Sequence, residues 1–78
     1  MKHSDDLIVA KIFCQCIKKP KTLDELSYKI YKNHHAPNVL RVYRVVEALI
    51  SEKILVPKMN NGSLMFQVDK EIINELIR

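Results

Sequence analysis

A chain of 78 residues holds one domain, and folding at that length buries only about 60% of the surface that the unfolded chain exposes. Hydrophobic residues at 47% supply a core. The 28% of charged residues, with no apolar run near the roughly 18 residues of a span, exclude a membrane protein. The formal charge of +4 belongs to the middle of the chain: between Lys18 and Arg44, five lysines and two arginines stand against Asp24 and Glu25, which favours a polyanionic partner.

Ser4, Asp5 and Asp6 occupy the place where a secretory leader is basic, so a cytoplasmic protein with a single domain over residues 1–78 is expected. Ser4 or Asp5 is suited to cap a first helix running to about Lys18, with acidic residues in the first turn where the helix dipole favours them. That helix is apolar nearly all round: Leu7, Ile8, Val9, Ala10, Ile12, Phe13, Cys14, Cys16 and Ile17 leave Lys11, Gln15 and Lys18 as a narrow polar stripe. A single core covers only part of such a helix, and the surplus asks for a second surface. Cys14 and Cys16 diverge by about 200° and cannot pair with each other, which leaves packing cysteines as the expectation.

Lys19-Pro20-Lys21 ends the helix, because proline disfavours helical geometry in the residue before it. Thr22-Leu23-Asp24-Glu25 fits a capping box that opens a second helix through Lys32. Leu23, Leu26, Ser27 and Ile30 form its inner face, with Glu25 and Lys29 as an i, i+4 pair outside. Asn33 to Ala36 read as a loop, and Pro37 suits the start of the next helix.

The third helix, from Pro37 to about Lys53, is the one around which the chain is organised. At about 100° per residue, Val39, Val42, Val45, Val46, Leu49 and Ile50 share a face, and Arg41, Arg44, Glu47, Ala48 and Ser51 lie roughly opposite. Its first two turns present Asn38, Leu40, Arg41, Tyr43 and Arg44, the end that would enter a DNA groove. Two apolar runs follow, Ile54 to Met59 and Leu64 to Val68. Asn61-Gly62 between them signals a type I′ hairpin, and Pro57 places its strand at an edge. Asp69 caps a short last helix with Ile72, Ile73, Leu76 and Ile77 on one side. The expected fold is α+β and mostly α: a winged helix-turn-helix of three helices, a two-stranded β-hairpin wing and a C-terminal helix.

Thr22-Leu23-Asp24-Glu25-Leu26, the run Val42-Tyr43-Arg44 followed by Val46, Leu49 and Ile54-Leu55, and a wing closing on Phe66 resemble the DNA-binding half of the ferric uptake regulator family over about residues 7–68. The resemblance implies that Tyr43 and Arg44 point toward DNA. It departs where that family has a threonine and this chain has Arg41, and where it has a glycine at the helix end and this chain has Lys53. The family's metal-sensing histidine clusters and dimerisation domain have no counterpart here, so the resemblance implies no iron or zinc sensing.

These readings combine into a small sequence-specific regulator of transcription that binds double-stranded DNA as a homodimer. Arg41 or Arg44 is suited to guanine or phosphate, and Leu40 to a thymine methyl or to packing under the His34-His35 loop. Lys21 and Thr22 at the start of the second helix suit a phosphate, and Lys58, Asn60, Asn61 and Ser63 suit the backbone or the minor groove. The candidate dimer interface is Leu7, Ala10, Cys14 and Ile17 of the first helix with Ile73 and Ile77 of the last, so long as the last helix does not simply cover the first. No cofactor or metal is expected, since adjacent histidines chelate poorly. With one glycine and no nucleophile beside a base, an enzyme is not expected either. The rival reading is a winged-helix module for protein contact within a larger assembly.

Overall fold

The computed structural model describes residues 5–77; the expected Ser4 cap lies outside them. In chain order the elements are α1 (Asp5–Lys18), β1 (Lys21–Thr22), α2 (Leu23–Tyr31), α3 (Ala36–Ser51), β2 (Leu55–Asn60), β3 (Ser63–Val68) and α4 (Lys70–Leu76).

Helix α1 buries a single line, Ile8, Ile12 and Cys16, spaced four apart and each fully inaccessible. Val9, Phe13 and Ile17 flank that line and are half-buried against the core. The polar stripe expected from sequence is not the face turned to solvent: Lys11 and Gln15 are half-buried, and Leu7, Ala10 and Cys14 are exposed with Lys18. A helix this apolar gives no pattern by which to choose its inner side, and the choice falls to whichever line meets α3 and β3.

Both bonds of the Thr22 capping box are formed: the Thr22 hydroxyl accepts from Glu25 N at 3.1 Å, and Glu25 Oε1 accepts from Thr22 N at 3.0 Å. Glu25 is therefore committed to the cap rather than to the expected pair with Lys29. Leu26, Ser27 and Ile30 of α2 face inward, and the buried Ser27 hydroxyl is satisfied by donating to Leu23 O at 2.9 Å. Helix α2 ends on Lys32, which takes the left-handed region at φ 62°.

Val42, Val45, Val46 and Leu49 bury the inner face of α3 as its spacing predicts, with Pro37 in its first turn. Two bonds close the helix, Lys53 N to Ile50 O and Ile54 N to Leu49 O, both 2.9 Å, with Lys53 at φ 62°. That is a Schellman stop, and Lys53 takes the left-handed residue for which glycine is usual. The chain then returns as β2 and β3 around Asn61 and Gly62, whose φ values of 51° and 81° are those of the expected type I′ turn.

The wing is part of a three-stranded antiparallel sheet in the order β1-β3-β2, not the free two-stranded hairpin expected. Lys21 and Thr22 pair with Phe66 and Met65, so the stretch between α1 and α2 covers the edge of β3 that a bare hairpin would leave open. Pro57 does lie on the outer strand, where its missing N–H breaks no ladder bond. Leu55, Phe66 and Val68 enter the core from this sheet. Asp69 caps α4 by accepting from Glu71 N at 2.8 Å; Ile72 and Ile73 rest on the edge of the core, whereas Leu76 and Ile77 are 59% and 76% exposed. Helix α4 packs only sparsely on any other element and does not cover α1.

The result is an α+β, mostly helical fold of winged-helix type.

Candidate nucleic-acid interface

Burial of its valines holds α3 by one side and leaves two grooves along its outward side. On the sector toward α1, Leu40, Arg41 and Arg44 line a groove of about 610 Å³ whose opposite wall includes Val9 and whose ends are Pro37 and Ala48. Arg44 is exposed, Arg41 is half-buried and Leu40 is 49% exposed. Leu40 thus belongs to the mouth of this groove rather than to the His34-His35 loop. That loop is held to α2, with His34 Nε2 3.2 Å from Asp24 O and the His34 ring 5.4 Å from that of Tyr28.

On the sector toward the wing, Tyr43 and Glu47 line a smaller groove with Pro57, Leu64 and Phe66. Tyr43 is 38% exposed, and the Glu47 carboxylate, one turn on, raises its phenol above the ordinary value by its charge and by a hydrogen bond. Tyr43 and Arg44, adjacent in sequence, therefore open onto different grooves on either side of the helix crest.

Asn38 is less available than its position suggests. It is half-buried, and its Nδ2 donates to Asn33 Oδ1 at 3.1 Å, an atom that also accepts from His35 N. This side-chain bridge closes the loop ahead of α3, whose first residues have no side-chain cap from His35. At the start of α2, Lys21 and Thr22 are both half-buried, and the polar atoms of Thr22 are already engaged with Glu25. The hydrogen bond from the Thr22 backbone, more than any neighbouring charge, keeps the Glu25 carboxyl below its usual range.

The alternation of the wing separates its two kinds of residue. Lys58 pairs with Met65 and Asn60 with Ser63, and these share one sheet face; Pro57, Met59 and Leu64 share the other, which is the face of buried Phe66 and of the groove beside Tyr43. All of Lys58, Asn60, Asn61 and Ser63 are exposed, as expected. Sequence reasoning missed the apolar face opposite them, where Met59 is 69% and Leu64 48% exposed. Counting alternate residues outward from Phe66 would have found it.

Of the residues expected at a dimer interface, Leu7, Ala10, Cys14 and Ile77 are exposed, while Ile17 and Ile73 are half-buried against the core.

No family model matches the chain, and no curated protein matches it in sequence. Among solved structures, a ferric uptake regulator from Francisella tularensis, solved with iron, aligns with a TM-score of 0.61 at 19% identity. The alignment covers 90% of this chain and 54% of that one, so the chain spans about half the length of the regulator it matches. At that identity the likeness is one of fold. Among the described residues no group of three or more His, Cys, Asp or Glu side chains is placed to hold a metal ion. Among them, too, no helix is long and apolar enough to cross a membrane.

Proposed function

We propose that this chain binds double-stranded DNA sequence-specifically, as a homodimer, and regulates transcription. The observation that carries this reading is the outward side of α3, where Arg44, Arg41 and Leu40 border one open groove and Tyr43 another, on a frame that a ferric uptake regulator shares. A helix held by three buried valines and a leucine, with guanidinium groups along its outer side, is suited to the major groove; either arginine can read guanine O6 and N7 or neutralise a phosphate. Lys58, Asn60, Asn61 and Ser63 at the wing, and Lys21 ahead of α2, suit the flanking backbone. Thr22 and Asn38 contribute by fixing the start of α2 and the approach to α3, since the Thr22 hydroxyl and the Asn38 amide nitrogen are already engaged.

Titration of a random duplex at two salt concentrations tests this. Non-specific binding near 10⁻⁶ to 10⁻⁴ M with a steep salt slope is expected, each neutralised phosphate adding about 0.9 to the slope. Arg44→Ala weakens binding and lowers the slope without unfolding the domain. Unchanged affinity in both the Arg44→Ala and Arg41→Ala variants rules out α3 as the recognition helix.

One observation favours the second reading, a module for protein contact: the wing turns Met59 and Leu64 outward beside Tyr43, an apolar strip that contact with phosphates does not call for. A chain with no salt-dependent affinity for duplex DNA would be understood that way.

A further inference from the structure

The exposed face of α1 has the spacing of a helix that pairs with another. Leu7, Ala10, Cys14 and Ile17 follow one another at intervals of three, four and three, the a and d positions of two heptads. The line they form runs on the side of α1 opposite Ile8, Ile12 and Cys16, which are fully buried, so the helix carries one seam into the core and a second outward. Leu7 is 42% exposed, Ala10 and Cys14 are exposed, and Ile17 is half-buried at the far end. In the same frame Asp6 is a g position and Lys11 an e position. Asp6 is exposed, and Lys11 lies with Lys29 of α2 along a groove that Ala10 and Cys14 floor.

We propose that a second copy of this chain docks on that seam, α1 against α1, parallel and in register about a two-fold axis. Parallel pairing brings each g residue to the e residue five further along the partner, so Asp6 of each copy meets Lys11 of the other, with Lys29 behind it as a second cation. Antiparallel pairing sets e against e and leaves Lys11 and Lys18 facing the partner's lysines, which is why the charges select the parallel arrangement. The small side chains of Ala10 and Cys14 at the centre let the backbones approach, and Leu7 and Ile17 close the two ends. Ile73 and Ile77 take no part in the contact.

Two heptads bury well under the roughly 1,200 Å² of a standard interface, so the free pair is weak and exchanges readily. The contact supplies the homodimer of the proposed regulator but does not depend on DNA binding, and its test contains no DNA, so the two readings fail separately.

The test uses the cysteine already present. Parallel register sets Cys14 beside Cys14 of the partner, within the roughly 7 Å between α-carbons that a disulfide tolerates, whereas a pair centred on Ile12 and running antiparallel opposes Cys14 to Ala10. Diamide oxidation of the native chain is expected to trap a dimer linked through Cys14, absent from Cys14→Ser. Asp6→Lys alone and Lys11→Asp alone each face like charges across the seam and are expected to trap about tenfold less. An equimolar mixture of the two variants restores opposite charges at both contacts and regains trapping, as a heterodimer identified by mass. Rescue on mixing cannot come from unfolded chains, which keeps charge separate from folding. Failure of the native chain to trap overturns the proposal; so does trapping by the single variants at the native level, or a mixture with no preference for the heterodimer.

Discussion

Lys53→Gly measures the strain stored where α3 stops. Lys53 sits at φ 62° with its N–H held by Ile50 O and the next residue's N–H by Leu49 O, so the backbone cannot relax without losing both bonds. Left-handed geometry costs a residue bearing a Cβ about 1 to 2 kcal/mol, and glycine gives back about 0.5 to 1 kcal/mol through its greater freedom in the unfolded chain. The lysine charge near the carbonyl end of α3 is also lost, worth about 0.3 to 1 kcal/mol. Lys53→Ala loses the same charge and keeps the strain. Because the side chain is exposed, neither truncation removes a buried contact. The glycine variant should therefore exceed the alanine variant by about 0.75 kcal/mol, within a range of about 0 to 1.5 kcal/mol, which at its centre separates the two by about 3 to 6 °C in Tm for a domain of this size. Urea melts followed by circular dichroism at 222 nm give the difference directly. A glycine variant less stable than the alanine variant would falsify the strain assignment, because strain at the lower bound would already offset the entropy of glycine.

Four other outcomes follow from particular contacts. Thr22→Ala should cost about 0.5 to 2 kcal/mol, because both bonds of the capping box depend on that residue's geometry. The Glu25 half of the box has a pH signature: its folded carboxyl lies below the ordinary 4.5, so its contribution is complete above that value and fades as pH falls through the lowered one. Urea melts of the native chain and of Glu25→Gln should converge as pH drops, and parallel curves would exclude the bond. Native-state titration with a thiol reagent should count one fast cysteine. Cys14 is exposed, whereas Cys16 is fully buried, with desolvation pushing its thiol up to about 11, and it should react only as the domain opens. Glu47→Gln should bring the phenol of Tyr43 down toward the usual value, read as an earlier rise of tyrosinate absorbance; no change would mean that the carboxylate is not its neighbour in solution.

What could be read from the chain before folding was whatever residues within a few positions of one another decide. The Thr22–Glu25 box, the Asn61-Gly62 turn, the proline at the head of α3 and the valine face of that helix all appear as expected, since cap, turn and amphipathic stripe are settled locally. The sequence by itself thus determined the order of the helices and the hairpin and which side of α3 turns outward. It did not determine β1, since two residues carry no alternation and their partners, Phe66 and Met65, lie far along the chain. Nor did it choose the inner line of α1, where apolar residues offer every direction and only contact with α3 and β3 selects Ile8, Ile12 and Cys16. The tertiary structure also parted Arg44 from Tyr43 into separate grooves and left Leu64 beside Tyr43, with Met59 exposed on the same sheet face. Those placements depend on which surfaces meet once the core closes, and burial is a property of the assembled chain.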